Sequence, residues 1–130
     1  MFFAMHTTEN RPRFLNLLQI RMPIGAVASI AHRISGVLLF LILPATVFLL
    51  ELSVRSPEGF DQARAILQAP LVRLFGLVLA WALLHHLLAG IRFLLLDLEI
   101  GIEREQARLS AWLVNLGAPL VVLLIVGAML

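Results

Sequence analysis

Cysteine, lysine and tyrosine are all absent from this sequence of 130 residues. Without cysteine, the chain can form no disulfide and offers no thiolate ligand for zinc or an iron–sulfur cluster. Charged residues are scarce, at 14%, whereas 61% of the residues are hydrophobic, which exceeds the usual share in soluble domains. The composition therefore predicts a membrane protein. Its length allows one bundle and no separate soluble domain, so a large catalytic apparatus would have to lie on another chain.

The basic residues are ten arginines, set against eight acidic residues, for a net charge of +2. They occur singly near the ends of hydrophobic stretches and not in clusters with aromatic residues. No nucleic-acid partner is therefore predicted. The pattern is typical of residues that set the orientation of helices in a lipid bilayer.

Long hydrophobic stretches predict an all-α membrane protein with three transmembrane helices in one bundle, preceded by an N-terminal arm. Each stretch reaches the roughly 20 residues that a membrane-spanning helix needs. Pro44 should bend the first helix, and Pro70 should either start a new segment or kink the second. The boundaries predicted within a single domain of residues 1–130 are 1–25 for the arm and about 28–51, 68–96 and 111–130 for the helices.

The arginines are distributed unequally between the two sides of the predicted bundle. Seven fall in the arm, at the edge of the first helix or in the connection at 92–108, and three fall in the connection after the first helix. The positive-inside rule then places the N-terminus on the cytoplasmic or matrix side and the C-terminus outside. The seven are Arg11, Arg13, Arg21, Arg33, Arg92, Arg104 and Arg108, and the three are Arg55, Arg64 and Arg73.

Two adjacent histidines, His85 and His86, lie deep inside the second hydrophobic stretch. Ionisable side chains are costly in hydrocarbon, so such residues are candidates for a functional site. His86 precedes Arg92 by six residues, which places it about 9 Å from the cytoplasmic boundary. His85 is rotated by about 100° around the helix from His86 and is predicted to have a structural role in helix packing.

His86 is followed four residues later, on the same helix face, by Gly90. An imidazole beside a residue without a side chain suits an axial haem ligand, because it offers a nitrogen for iron and room for the macrocycle. The alternative is that His86 forms a hydrogen bond to a neighbouring helix and that Gly90 is a packing notch. The residues alone leave both interpretations open.

A second polar group occurs at the start of the first helix, where Ser29 and Arg33 are four residues apart and share a face. A hydroxyl and a guanidinium there can hydrogen-bond the carbonyl of a quinone head group, and Arg33 with His32 can hold haem propionates. The alternative is that Arg33 extends to a lipid phosphate and that Ser29 caps the helix.

The sequence resembles the cytochrome b556 subunit of succinate dehydrogenase, the larger membrane anchor of respiratory complex II. The resemblance depends on His-Arg-x-Ser-Gly at 32–36 and His-x-x-x-Gly-Ile-Arg at 86–92, with Ser-Pro-Glu-Gly-Phe at 56–60 between them. It covers nearly the whole chain. Each motif is weak alone, whereas the pair in this order is specific.

By this resemblance, His86 is the axial ligand of a haem b, and the second axial histidine comes from the small membrane-anchor subunit. Ser29 and Arg33 match the serine and arginine of the family's quinone site, and His32 with Arg33 lies where haem propionates are held. Gly90 belongs to the cofactor-binding motif. Phe93 departs from the pattern, since many members carry a histidine at that position.

The function that the resemblance implies is that of a membrane anchor in succinate:quinone oxidoreductase. FAD and iron–sulfur clusters would be held by the flavoprotein and iron–sulfur subunits, and ubiquinone or menaquinone would be the electron acceptor. The expected location is the bacterial inner membrane, in preference to the mitochondrial one. The alternatives are the anchor of a quinol–fumarate reductase and a structural membrane subunit without haem.

Overall fold

A computed structural model describes residues 21–129, which form four helices. Their bounds are Ile24–Arg55 for α1, Pro57–Gln68 for α2, Pro70–Asp97 for α3 and Arg104–Met129 for α4. The helices α1, α3 and α4 are long and apolar enough to cross a membrane. The predicted all-α fold with three membrane-spanning helices is therefore confirmed. Most of the predicted N-terminal arm, residues 1–20, lies outside the described residues.

The helices extend beyond the hydrophobic stretches from which they were predicted. α1 begins four residues earlier and ends four residues later than expected, and α4 begins seven residues earlier. At 1.5 Å per residue, the 32 residues of α1 are about 48 Å long, more than a hydrocarbon core of about 30 Å. The predicted connection at 92–108 is thus wrong in extent, because helical structure occupies all of it except residues 98–103.

Pro70 starts a new helix, as one of the two alternatives for this position predicted. The preceding helix α2 begins after Ser56, whose hydroxyl oxygen accepts a hydrogen bond from the Gly59 N–H at 3.0 Å. A backbone hydrogen bond lowers the pKa of the exposed Glu58 carboxyl, and the Ser56 hydroxyl lowers it further. Pro44, by contrast, lies inside α1 without ending it.

The centre of the bundle is built from small side chains, and α1 contacts each of the other three helices. Large apolar side chains face outward instead, as Phe40 and Leu71 do with exposures of 72% and 80%. In lipid this arrangement is favourable, because small residues let helix backbones approach closely while large ones meet acyl chains. The fully buried alanines are Ala28, Ala82, Ala89, Ala111 and Ala118.

The contact between α2 and α1 depends on Gly59, so we expect a larger side chain at this position to destabilise the protein. A Cβ atom at Gly59 would collide with the backbone carbonyl oxygen of Leu52, whereas one at Gly76 would meet no atom within 4 Å. Gly59→Ala should therefore cost about 1–3 kcal/mol of stability through overpacking. Thermal unfolding of the detergent-solubilised protein measures this loss.

Gly76→Ala is the matched control, since it makes the same chemical change inside α3. It should leave the melting temperature unchanged or raise it slightly, because alanine favours helix over glycine by about 1 kcal/mol. Equal melting temperatures for the two variants would contradict the close packing of α2 on α1.

Candidate functional site

The two histidines His32 and His86 are brought together by the packing of α1 against α3. Their rings stack with centroids 4.1 Å apart and planes 11° from parallel. Both side chains are half-buried. The arrangement places the two polar groups that the sequence suggested, one on each helix, at the same depth of the bundle.

The proton position on His86 follows from its hydrogen bonds. Nδ1 lies 3.1 Å from the backbone carbonyl oxygen of His32, and a carbonyl oxygen only accepts, so Nδ1 must carry the hydrogen. The Ser35 hydroxyl donates to the same carbonyl at 2.8 Å. The Ser35 oxygen therefore accepts a hydrogen bond from Nδ1 of His86, 3.2 Å away.

In a neutral imidazole protonated at Nδ1, the lone pair is on Nε2. No residue among 21–129 hydrogen-bonds Nε2 of His86. The side chain is thus held by two oxygens at one nitrogen and offers the other as a ligand. Hydrogen bonds of this kind orient most histidines that bind metals in proteins.

Gly36 leaves space for the stacked rings, and Gly90 lies beside them. A Cβ atom at Gly36 would lie 3.0 Å from Cε1 of His86, closer than real Cβ contacts allow without movement. One at Gly90 would lie 3.7 Å from Nε2 of His32, an ordinary contact. Gly90 therefore faces His32 on α1, a contact that the sequence did not reveal.

His85 lies in the interior of this chain and not at a surface open to a partner helix. It is 1% exposed, and its ring lies 5.5 Å from that of Trp81. Neither ring nitrogen has a hydrogen-bond partner among the described residues. The separation of His85 from His86 is as predicted, and its structural role in helix packing stays a prediction.

The predicted quinone residues, Ser29 and Arg33, both lie within α1, well after its start at Ile24. The helix is preceded by Pro23 and has no side-chain capping hydrogen bond, so the alternative in which Ser29 caps the helix is wrong. Arg33 is exposed and lines a shallow depression of about 250 Å³ with Ile34, Val37 and Leu38. Its guanidinium is thus accessible from outside the chain.

The position of Arg92 differs most from the prediction, which placed this residue at the cytoplasmic boundary of the membrane. It lies inside α3 with 8% of its surface exposed, and it donates from Nε to the Ser110 hydroxyl and from Nη2 to the Ala107 carbonyl, both at 3.0 Å.

Phe93 contacts His32, edge to face, with centroids 5.3 Å apart. Phe93 therefore packs on the histidine stack.

Asn115 is a polar contact between helices that the sequence reasoning missed. Its amide donates to the Ala111 carbonyl at 2.9 Å and to the Ile24 carbonyl at 3.4 Å, which joins α4 to the first turn of α1. An asparagine in an apolar stretch is the signal that could have pointed to it.

The sequence matches the family model described as succinate dehydrogenase/fumarate reductase transmembrane subunit over residues 7–126. The chain belongs to this family. Among its relatives is the succinate dehydrogenase cytochrome b556 subunit of Coxiella burnetii, 37% identical over 105 residues, which are 80% of this chain and 84% of the relative. The subunit of the same name from Paracoccus denitrificans is 36% identical over 102 residues, 78% of each chain.

A third relative is the succinate dehydrogenase 2 membrane subunit SdhC of Mycobacterium tuberculosis, 32% identical over 109 residues, 84% of this chain and 79% of the relative. The predicted membership of a family of membrane subunits in an enzyme complex is thus confirmed. The roles of individual residues stay predictions.

The hydrogen bonds of His86 predict its tautomer before any metal is bound. In 15N-histidine-labelled protein without iron, Nδ1 of His86 should be protonated and Nε2 bare. Solid-state 15N spectra distinguish the two nitrogens, and His86→Gln assigns the signals by removing them. Ser35→Ala should keep the tautomer, because the His32 carbonyl remains as acceptor. A proton on Nε2 would contradict the geometry.

Proposed function

We propose that this chain is the cytochrome b membrane anchor of a succinate:quinone oxidoreductase, and that His86 supplies one axial ligand to a haem b. The observation that carries the proposal is the hydrogen bond from Nδ1 of His86 to the His32 carbonyl. It leaves the Nε2 lone pair as the only nitrogen of His86 that can bind iron. The cytochrome b556 name of two relatives supports the same cofactor.

The other residues of this chain fit a haem held at a subunit boundary. His86 is half-buried, so a macrocycle bound to it would be covered in part by another chain, for which we propose the small anchor subunit with its own histidine. His32 and the exposed Arg33 would hold the propionates, and Gly90, which has no side chain, would leave room beside the His32 ring. The haem, when bound, supplies a one-electron redox centre beside the quinone site.

For the quinone site we propose Ser29 and Arg33, which share a face of α1. The guanidinium and the hydroxyl would hydrogen-bond a carbonyl oxygen of ubiquinone or menaquinone and orient the head group. Electrons would come from succinate through the FAD and iron–sulfur clusters of the flavoprotein and iron–sulfur subunits. We place these subunits on the cytoplasmic side of a bacterial inner membrane, where the arginine distribution puts the N-terminus.

The family description also names fumarate reductase, in which quinol would be the electron donor. Three relatives carry a succinate dehydrogenase name, which favours succinate oxidation as the direction for this chain. The hydrogen bond from Nδ1 of His86 also joins α3 to α1, as it would in a purely structural subunit, and the cytochrome b556 name of two relatives is what favours a haem-binding one.

Removing the proposed ligand tests the haem assignment. His86→Gln should abolish the b-type signal in the reduced-minus-oxidised visible spectrum of the purified complex, because the glutamine amide is a poor ligand for haem iron. His85→Gln, at the neighbouring buried position, is the matched control and should keep that signal. An unchanged spectrum in His86→Gln would overturn the assignment.

Removing the proposed quinone contacts tests the second site. Ser29→Ala and Arg33→Leu should each lower succinate:quinone turnover about tenfold or more, the usual effect of losing a hydrogen bond that involves a charged group. Succinate oxidation by a water-soluble dye should be unchanged. Arg55→Leu is the control, since Arg55 is an exposed arginine at the other end of α1, paired with Glu51. Equal loss of both activities would contradict a role in quinone binding.

A further inference from the structure

Arg92 carries a positive charge in the interior of the bundle, and no negatively charged side chain of residues 21–129 pairs with it. Its two acceptors, the Ser110 hydroxyl and the Ala107 carbonyl, are both neutral. Within residues 21–129, the only ion pair joins Arg55 to Glu51, so no described carboxylate compensates Arg92. A buried charge is costly unless an opposite charge or several hydrogen bonds compensate it. Three of the five guanidinium N–H groups have no described partner.

The guanidinium of Arg92 lines a pocket of about 650 Å³ together with Arg104 and Arg108. Both of these arginines are exposed and lie one turn apart on α4, so their side chains share a face. Among residues 21–129, no acidic side chain lines the pocket. The cavity therefore combines one buried and two exposed positive charges, which is the electrostatic requirement of a site for an anion.

The position of the pocket indicates what kind of anion it suits. It lies where α1 and α4 begin and α3 ends, at the ends of three membrane-spanning helices. The remaining lining is largely apolar and includes Ile24 and Val27 of α1 and the half-exposed Trp112 of α4. Tryptophan prefers the membrane interface. Charges beside apolar surface at this depth match a molecule with an anionic head group and hydrocarbon chains.

We propose that this pocket binds the phosphate of an anionic phospholipid, with Arg92 as its buried anchor and Arg104 and Arg108 at its mouth. A guanidinium binds phosphate through two parallel hydrogen bonds, and basic pockets between membrane helices are known to suit such head groups. The apolar lining contacts the acyl chains. Neither Ser29 nor Arg33 lines the pocket, so the site is independent of the proposed quinone site.

The test compares lipid retention by variants of the exposed arginines, since Arg92 also holds α3 to α4. The protein is purified in mild detergent with its accompanying subunits, mixed with phosphatidylglycerol or phosphatidylcholine, and examined by native mass spectrometry. Arg104→Gln/Arg108→Gln should weaken phosphatidylglycerol binding about tenfold or more, as expected for two interfacial charges. Binding of phosphatidylcholine should be weaker from the start.

Arg64→Gln/Arg73→Gln is the matched control, because it removes two arginines from the opposite end of the bundle, one on α2 and one in the first turns of α3. It should change phosphatidylglycerol binding less than twofold. Equal weakening in both double variants would overturn the proposal in favour of non-specific attraction. Unchanged binding in Arg104→Gln/Arg108→Gln would overturn it as well, since carboxylates of a protein partner would then be the natural match for these charges.

Inorganic phosphate distinguishes the lipid from a free anion. If the acyl chains contribute to binding, millimolar inorganic phosphate should leave most of the phosphatidylglycerol bound. Complete displacement by inorganic phosphate would overturn the lipid assignment and identify a site for free phosphate.

Discussion

The hydrogen bond between the His86 imidazole and the His32 carbonyl is the contact on which the candidate site depends. It can form because α1 and α3 approach closely, with Gly36 leaving the space that the His86 ring occupies. In a bilayer, hydrophobic burial contributes little to helix association, because lipid tails are as apolar as the side chains. Close packing of small residues and interhelical hydrogen bonds hold the helices together instead. The same contact therefore joins the two helices and fixes which nitrogen of His86 faces outward.

A second contact of the same kind holds the other side of α3. Arg92 donates to the Ala107 carbonyl of α4 as His86 donates to the His32 carbonyl of α1. In each case the acceptor is a helical carbonyl oxygen, which has a second lone pair beyond the one used within its helix. Helix α3 is thus attached to α1 and to α4 by polar side chains that donate to backbone oxygens.

Much of the fold could be predicted, because a stretch of about 20 uncharged residues has few alternatives to a membrane helix. The helix ends could not, since α4 begins in a charged segment at Arg104 that hydropathy alone excludes. The burial of Arg92 was missed for a related reason. An arginine at the end of an apolar stretch is predicted to lie at the membrane interface. Its burial can be predicted only when the serine hydroxyl and the backbone carbonyl that accept its hydrogen bonds are known to lie nearby.

The sequence by itself determined that the chain is a bundle of three spanning helices, that His86 stands in a motif distinct from that of His85, and which family the motifs resemble. Only the tertiary structure decided that His85 is enclosed and that Nδ1 of His86 is held by an oxygen 54 residues away. The buried face of helix α3 carries the polar His85 and Arg92, and its outer faces are largely apolar, so no amphipathic pattern marks its inner face. That face is defined by which helices pack against it.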